Sequence, residues 1–319
     1  MKNPKAEYLI FLIIAGILLS QIQACKKPQI SLQKDLCLGV EEGDENLIFG
    51  GIQSICTDAA DNIYILDWRM WRIQKFDSRG AFLKSYPIKD GQGPGELTFP
   101  GEMAVSPQGI IFLYDFMNRK ILILDQDGKA INSFNLDFFG ISINCFADEK
   151  LIVMGDKDNA LFHVYDVKGR QISSFGDHFK VPQNLARYAY PTVKYPQVFT
   201  VSVSERIYVC DPHSYEISVY RNKELERTIK GENTAFWPVS VKNGKEVNWR
   251  NASVFESKER LYSFIASRGE TPNQIDVFEK GRQVESLDVE GYVQAIDSKG
   301  RMYAVVEEPF LQVVRYSVK

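Results

Sequence analysis

From residue 61 to the C-terminus the hydrophobic positions fall in short runs broken by turn-forming residues, and one order of runs returns six times. Asp61-Asn62-Ile63-Tyr64-Ile65-Leu66-Asp67 leads to Ile73-Gln74-Lys75-Phe76-Asp77-Ser78-Arg79-Gly80, and then to Phe82-Leu83-Lys84-Ser85-Tyr86. The second copy occupies 108–115, 121–128 and 130–134, the third 148–156, 162–169 and 171–175, and the fourth 207–211, 217–220 and 225–229. The fifth (261–265, 275–278) and sixth (302–306, 312–316) lose the aspartate. Runs rich in β-branched and aromatic residues, bounded by Gly and Asp, predict strands.

The matching positions Ile63, Ile111, Ile152, Ile207, Leu261 and Met302 are 48, 41, 55, 54 and 41 residues apart. Those lengths suit a four-stranded blade, which cannot bury its own faces, so the units must pack radially around a common axis. The fold expected is therefore all-β, a six-bladed β-propeller with four-stranded blades over residues 30–319. The last copy ends after its third strand. Its fourth strand is expected from Ile30-Ser31-Leu32-Gln33-Lys34-Asp35-Leu36-Cys37-Leu38, which closes the ring and removes exposed edges.

Upstream, Lys2 and Lys5 precede an apolar run from Leu9 to Leu19, followed by Ser20-Gln21-Ile22-Gln23-Ala24-Cys25. This order predicts a signal peptide over residues 1–24, because eleven apolar residues rise only about 16 Å as a helix, against about 30 Å of hydrocarbon. Ile22-Gln23-Ala24-Cys25 resembles the bacterial lipobox, with isoleucine in place of the usual leucine. The resemblance implies lipidation of Cys25, a tether over residues 25–29, and a place in the cell envelope, with the outer membrane preferred. The other reading is ordinary cleavage nearby that leaves Cys25 a free thiol. Cys37, Cys56, Cys145 and Cys210 form no C-x-x-C pair and no zinc spacing, and the last three sit in apolar runs, which favours buried free thiols over the other reading, structural disulfides.

Asp115-Phe116-Met117-Asn118-Arg119-Lys120-Ile121 resembles an NHL-type repeat, with weaker versions at Asp67 to Ile73 and Asp156 to Phe162. The loop Gly91-Gln92-Gly93-Pro94-Gly95-Glu96, with Phe99-Pro100 after it, is similar to the six-bladed propeller lipoproteins of Bacteroidetes. Such a fold hosts hydrolases, lyases, receptors and scaffolds alike, so the resemblance carries little about activity.

Charge narrows the partners. The 38 basic and 41 acidic side chains leave a net charge of −3, with no basic excess to hold phosphate backbones, so nucleic acid is excluded as a main partner. A hydrophobic fraction of 45% and three histidines indicate an ordinary globular chain without histidine-rich metal chemistry.

In a propeller the loops joining strands two and three share a face with the loops joining blades, here called the upper face. Trp68, Arg69, Trp71 and Arg72 fall there in the first blade, as do Tyr188, Tyr190, Trp237 and Trp249 in the two longest insertions, 181–196 and 231–250. Flat rings beside guanidinium groups suit a glycan, a peptide or an envelope protein. The bland reading gives each tryptophan a packing role. The expected function is ligand or partner binding by a monomeric, membrane-anchored protein, without catalysis and without a cofactor. The alternative is a metal-assisted hydrolase or lyase, in which Glu102, Asn144 and Asn251 near the starts of inner strands hold Ca or Mg at the channel. The Gly91–Glu96 loop is read as a tight interblade turn, and Asp67, Asp115, Asp156 and Asp211 as turn caps.

Overall fold

The computed structural model describes residues 30–187, 199–232, 236, 238, 240–242, 245–248, 253–266 and 272–319. Cys25, Tyr188, Tyr190, Trp237, Trp249 and Asn251 lie outside the described residues. The blades all fall within one compact unit, Leu32–Val318.

Among the described residues, strand β1 (Leu32–Leu38) comes first. Blade 1 is β2 (Ile52–Thr57), β3 (Ile63–Asp67), β4 (Arg72–Phe76) and β5 (Phe82–Pro87). A short parallel ribbon, β6 (Lys89–Asp90) with β7 (Glu96–Leu97), leads to blade 2: β8 (Pro100–Val105), β9 (Ile111–Asp115), β10 (Lys120–Leu124) and β11 (Ala130–Asn135). Blade 3 is β12 (Gly140–Cys145), β13 (Leu151–Lys157), β14 (Ala160–Tyr165) and β15 (Gln171–Phe175). Blade 4 is β16 (Phe199–Val201), β17 (Ile207–Cys210), β18 (Glu216–Arg221) and β19 (Glu224–Lys230). The ribbon β20 (Ser240–Lys242) with β21 (Lys245–Asn248) precedes blade 5: β22 (Ser253–Ser257), β23 (Arg260–Ile265), β24 (Asn273–Glu279) and β25 (Arg282–Val289). Blade 6 is β26 (Tyr292–Ile296), β27 (Met302–Val306), β28 (Gln312–Val318) and β1. Among the described residues there is no α-helix.

The ring closes as the missing strand required. β1 runs antiparallel to β28 from Leu32↔Val318 to Leu38↔Val313, and the Arg315 guanidinium donates to the Asp35 carboxylate at 2.6 Å. Burial is divided into wedges between blades rather than one central core. Tyr64, Leu66 and Ile73 of blade 1 pack with Met103, Leu113 and Leu122 of blade 2, and Leu38 of β1 packs with Ile55 and Ile63 of blade 1. This is the packing that a two-sided apolar sheet demands.

Two local devices repeat. In the turns between third and fourth strands, Asp77 accepts the amides of Arg79 and Ala81, Asp125 those of Asp127 and Lys129, and Asp166 those of Lys168 and Arg170. The glycine ending each Asp-x-x-Gly turn sits at positive φ and makes room for the preceding blade: a Cβ on Gly128 would lie 2.2 Å from Tyr86, and one on Gly169 2.7 Å from Phe134. The outermost strand of every blade also carries a bulge, at Leu83, Ile131, Ile172, Glu226, Val284 and Asp35. A bulge twists an edge strand away from pairing with another chain.

Candidate functional site

The upper mouth of the channel is built on two buried aspartates. Asp67 accepts the amides of Gly50 at 2.9 Å, Gly51 at 2.8 Å and Met70 at 3.3 Å. Asp115 accepts those of Thr98 at 2.6 Å, Met117 at 2.9 Å and Asn118 at 3.1 Å. Each carboxylate thus caps its own turn and ties it to the loop entering the same blade's inner strand. Asp211 caps its turn through the His213 amide at 2.7 Å, whereas Asp156 is exposed and lies 3.3 Å from His178.

The residue after each of the first two aspartates is aromatic, and its ring folds inward over a glycine. A Cβ on Gly51 would lie 2.6 Å from Trp68 Nε1, and one on Gly101 would lie 1.9 Å from Phe116 Cδ2. Side chains at either position would push the rings off the mouth. Phe99 and Phe139, which precede inner strands β8 and β12, fill the intervals. The result is one row: Trp68 to Phe99 at 5.4 Å between centroids, Phe99 to Phe116 at 6.5 Å, and Phe116 to Phe139 at 6.5 Å, the last pair stacked. Arg69 places its guanidinium 5.3 Å from the Trp68 ring, and Met70, Met117 and Phe139 are 49%, 73% and 48% exposed. A half-exposed strip of ring faces with thioethers beside it and one cation at its end suits a ligand that stacks.

Other expected site residues have different partners. Trp71, at positive φ, packs its ring against the apolar wedge between blades 1 and 2. Arg72 donates to the carbonyls of Glu45 at 3.0 Å and Ile48 at 2.6 Å, pinning the segment before blade 1. In the Gly91–Glu96 loop, the Gly93 amide donates to the Glu96 carboxylate at 2.9 Å, while the buried Lys120 ammonium donates to the carbonyls of Gly93 at 2.6 Å and Glu96 at 2.9 Å. The loop is therefore filled by its own chain and is a turn.

Along the channel, inner-strand side chains staple neighbouring blades together. Cys56 Sγ donates to the Met103 carbonyl at 3.2 Å, Asn144 Nδ2 to Phe199 at 3.5 Å and Ser253 Oγ to Val293 at 3.4 Å. Glu102 accepts the Ile143 amide at 2.8 Å and the Ser142 hydroxyl at 2.7 Å. Burial without a cation partner pushes the Glu102 carboxyl up to about 8, and burial pushes the Cys56 thiol up to about 12. Glu102 and Asn144 thus satisfy strand edges of blades 3 and 4. Among the described residues, no group of three or more His, Cys, Asp or Glu side chains is placed to hold a metal.

Phe99, Phe116 and Phe139 were not singled out by sequence reasoning. Their signal was an aromatic after the strand-ending aspartate, together with Phe99-Pro100-Gly101 and Phe139-Gly140 at the inner-strand starts.

A ring of six such blades with a stapled channel is the architecture of a known class. The chain belongs to the DUF5128 family, described as a 6-bladed beta-propeller, whose model matches residues 40–299. Among solved structures it is similar to a candidate exported protein of Bacteroides fragilis NCTC 9343, with 13% identity over 90% of this chain and 95% of that one and a TM-score of 0.62. A DUF4221 member from Bacteroides vulgatus is 11% identical over 92% and 99%, with a TM-score of 0.61. Virginiamycin B lyase from Staphylococcus aureus is 12% identical over 91% and 99%, with a TM-score of 0.56. At such identities the likeness is one of fold. No curated protein matches the chain.

Proposed function

We propose that this propeller is an envelope binding protein, anchored through lipidated Cys25, that holds a glycan or peptide across the upper mouth of its channel. The observation that carries the reading is the row Trp68–Phe99–Phe116–Phe139, three half-buried rings and one exposed ring held in place by Asp67, Asp115 and two glycines. The likeness to a candidate exported Bacteroides protein supports the envelope setting. Arrays of glycans and peptides, followed by titration of intrinsic tryptophan fluorescence, identify the ligand. Trp68→Ala and Phe116→Ala then each weaken binding by about 1–3 kcal/mol, as central aromatic anchors do. Binding that both variants leave untouched would overturn the proposal.

A second reading, hydrolase or lyase chemistry in the channel with Ca or Mg, has one observation in its favour. Glu102 is a carboxyl held protonated near neutral pH, the state a general acid needs. Both of its oxygens are engaged by Ser142 and Ile143, which leaves the binding reading first. Turnover of candidate substrates that stops in Glu102→Gln would reverse that order.

A further inference from the structure

The lower face carries a second surface, unrelated to the aromatic row. Inner strands run from the upper to the lower face, so first-to-second and third-to-fourth strand turns lie below, and the fourth strand of each blade starts there. β1 is the fourth strand of blade 6, and it pairs Leu32 with Val318 at the end of β28. The chain therefore enters the propeller on its lower face.

A cleft of about 600 Å³ opens on that same face across blades 4 to 6 and includes Val318 in its wall. Its floor is apolar, with Ile229, Leu261 and Phe278, and its rim carries Arg227, Lys258 and Lys280. Those three cations have no ion-pair or hydrogen-bond partner among the described residues, unlike Arg260, which pairs with Glu279 at 2.9 Å, and Lys299, which pairs with Asp61 at 3.2 Å. Lys223 and Arg282 lie exposed in the neighbouring turns, so five cations face four carboxylates without a cation partner among the described residues, Glu205, Glu224, Glu259 and, in the cleft wall, Glu256. This local surplus of positive charge stands on a chain whose net charge is −3. Between the cations, Val203, Leu225 and Val284 are 91%, 55% and 37% exposed in the lower turns and strand starts of blades 4 and 5.

We infer that the lower face of blades 4 and 5 rests on an anionic phospholipid bilayer, Arg227, Lys258 and Lys280 meeting phosphate groups while Val203 and Leu225 enter the interface. Protruding aliphatic side chains among unpaired cations match the layered chemistry of a membrane surface, apolar below and anionic above. Where the chain is also anchored, this contact becomes intramolecular and is strengthened further. The upper aromatic row then points away from the bilayer. The inference does not depend on what the row binds.

The test uses residues 26–319, which include β1 and all six blades, in cosedimentation with vesicles of phosphatidylcholine alone or mixed with phosphatidylglycerol. Binding is expected only with the anionic vesicles and is lost in high salt. The double variant K258E/K280E lowers it by about tenfold, whereas K129E/K168E, the same charge change on the lower turns of blades 2 and 3, lowers it much less. Val203→Ser with Leu225→Ser weakens binding without changing its salt dependence. Circular dichroism and melting temperature confirm that each variant folds. The inference is overturned by equal binding to neutral and anionic vesicles, by no binding to either, by equal loss in the two charge-reversal variants, or by inorganic phosphate occupying the cleft while vesicles are ignored.

Discussion

Glu102→Gln isolates the energetics of the channel. The glutamate accepts an amide and a hydroxyl from blade 3, and no cation faces it, so its neutral form fits the site and its ionised form does not. Glutamine reproduces the neutral geometry, since its carbonyl can accept the Ile143 amide and its amide group can face the Ser142 hydroxyl. Raising the carboxyl from its ordinary 4.5 to about 8 stabilises the native protein relative to the unfolded chain only while both hold the proton. Above pH 4.5 the unfolded chain ionises and the native one does not, so wild-type stability falls as pH rises from 4.5 to 8 and then levels off. At face value the span corresponds to about 5 kcal/mol. Partial exposure of the side chain screens some of it, leaving an expected effect of about 2–3 kcal/mol. Urea unfolding of both proteins between pH 5 and pH 8.5 should therefore give a stability gap in favour of Glu102→Gln that is small at the acid end and widens with pH. Parallel pH profiles, or a variant that loses ground at alkaline pH, would show that the carboxylate is solvated or paired in the channel and that the account of its burial is wrong.

The remaining expectations concern packing. Gly128→Ala places a Cβ 2.2 Å from Tyr86 at positive φ and should lower stability by about 2 kcal/mol or more, whereas Gly281→Ala, at a similar φ with nothing within 4 Å, should cost about 1 kcal/mol; comparing melting temperatures separates contact from backbone strain. Deleting residues 26–40 removes β1 and the buried Leu38, exposes β28, and should lower stability by several kcal/mol in denaturant titration, an unchanged midpoint marking the segment as a mere tether. Trp71→Ala should destabilise by about 2–3 kcal/mol while leaving ligand affinity intact, the opposite signature to Trp68→Ala.

The repeat was legible because the second and third strands of a blade leave an apolar run and then a branched and aromatic run, joined in blades 1 to 3 to the fourth strand by an Asp-x-x-Gly turn. The spare strand at 30–38 was legible for the same reason, since Leu32, Leu36 and Leu38 alternate with polar residues in a chain otherwise one strand short. Of the expected upper-face residues, Trp68 stands in the aromatic row and Trp71 against the interblade wedge. Topology alone could not separate the two, because three residues of a tight turn decide whether a ring folds over a neighbouring glycine or into that wedge. Phe99 and Phe139 escaped because they precede inner strands, far in sequence from the turns whose rings they bridge. Glu102 entered the sequence reading only as an alternative metal ligand, because sequence shows an oxygen near an inner strand but not the Ile143 amide of the next blade that it accepts.

Where six units share one backbone task, the positions that vary are those the backbone does not need. The position after the strand-ending aspartate is Trp68, Phe116, Lys157 and Pro212 in blades 1 to 4, and the fold tolerates all four. The aspartates in the first two blades hold the turn backbone through its amides, which leaves the following side chain free to vary. The aromatic row ends where Lys157 takes over and turns its ammonium to Asp137 at 2.9 Å. The bulge position varies in the same way, apolar in blades 1, 2, 3 and 5 but Glu226 in blade 4 and Asp35 in blade 6, where each carboxylate pairs with an arginine. Stapling of the inner strands and closure by β1 make the ring stable without help from these positions. The two faces can therefore differ without cost to the ring, with aromatic rings above blades 1 to 3 and cations below blades 4 and 5.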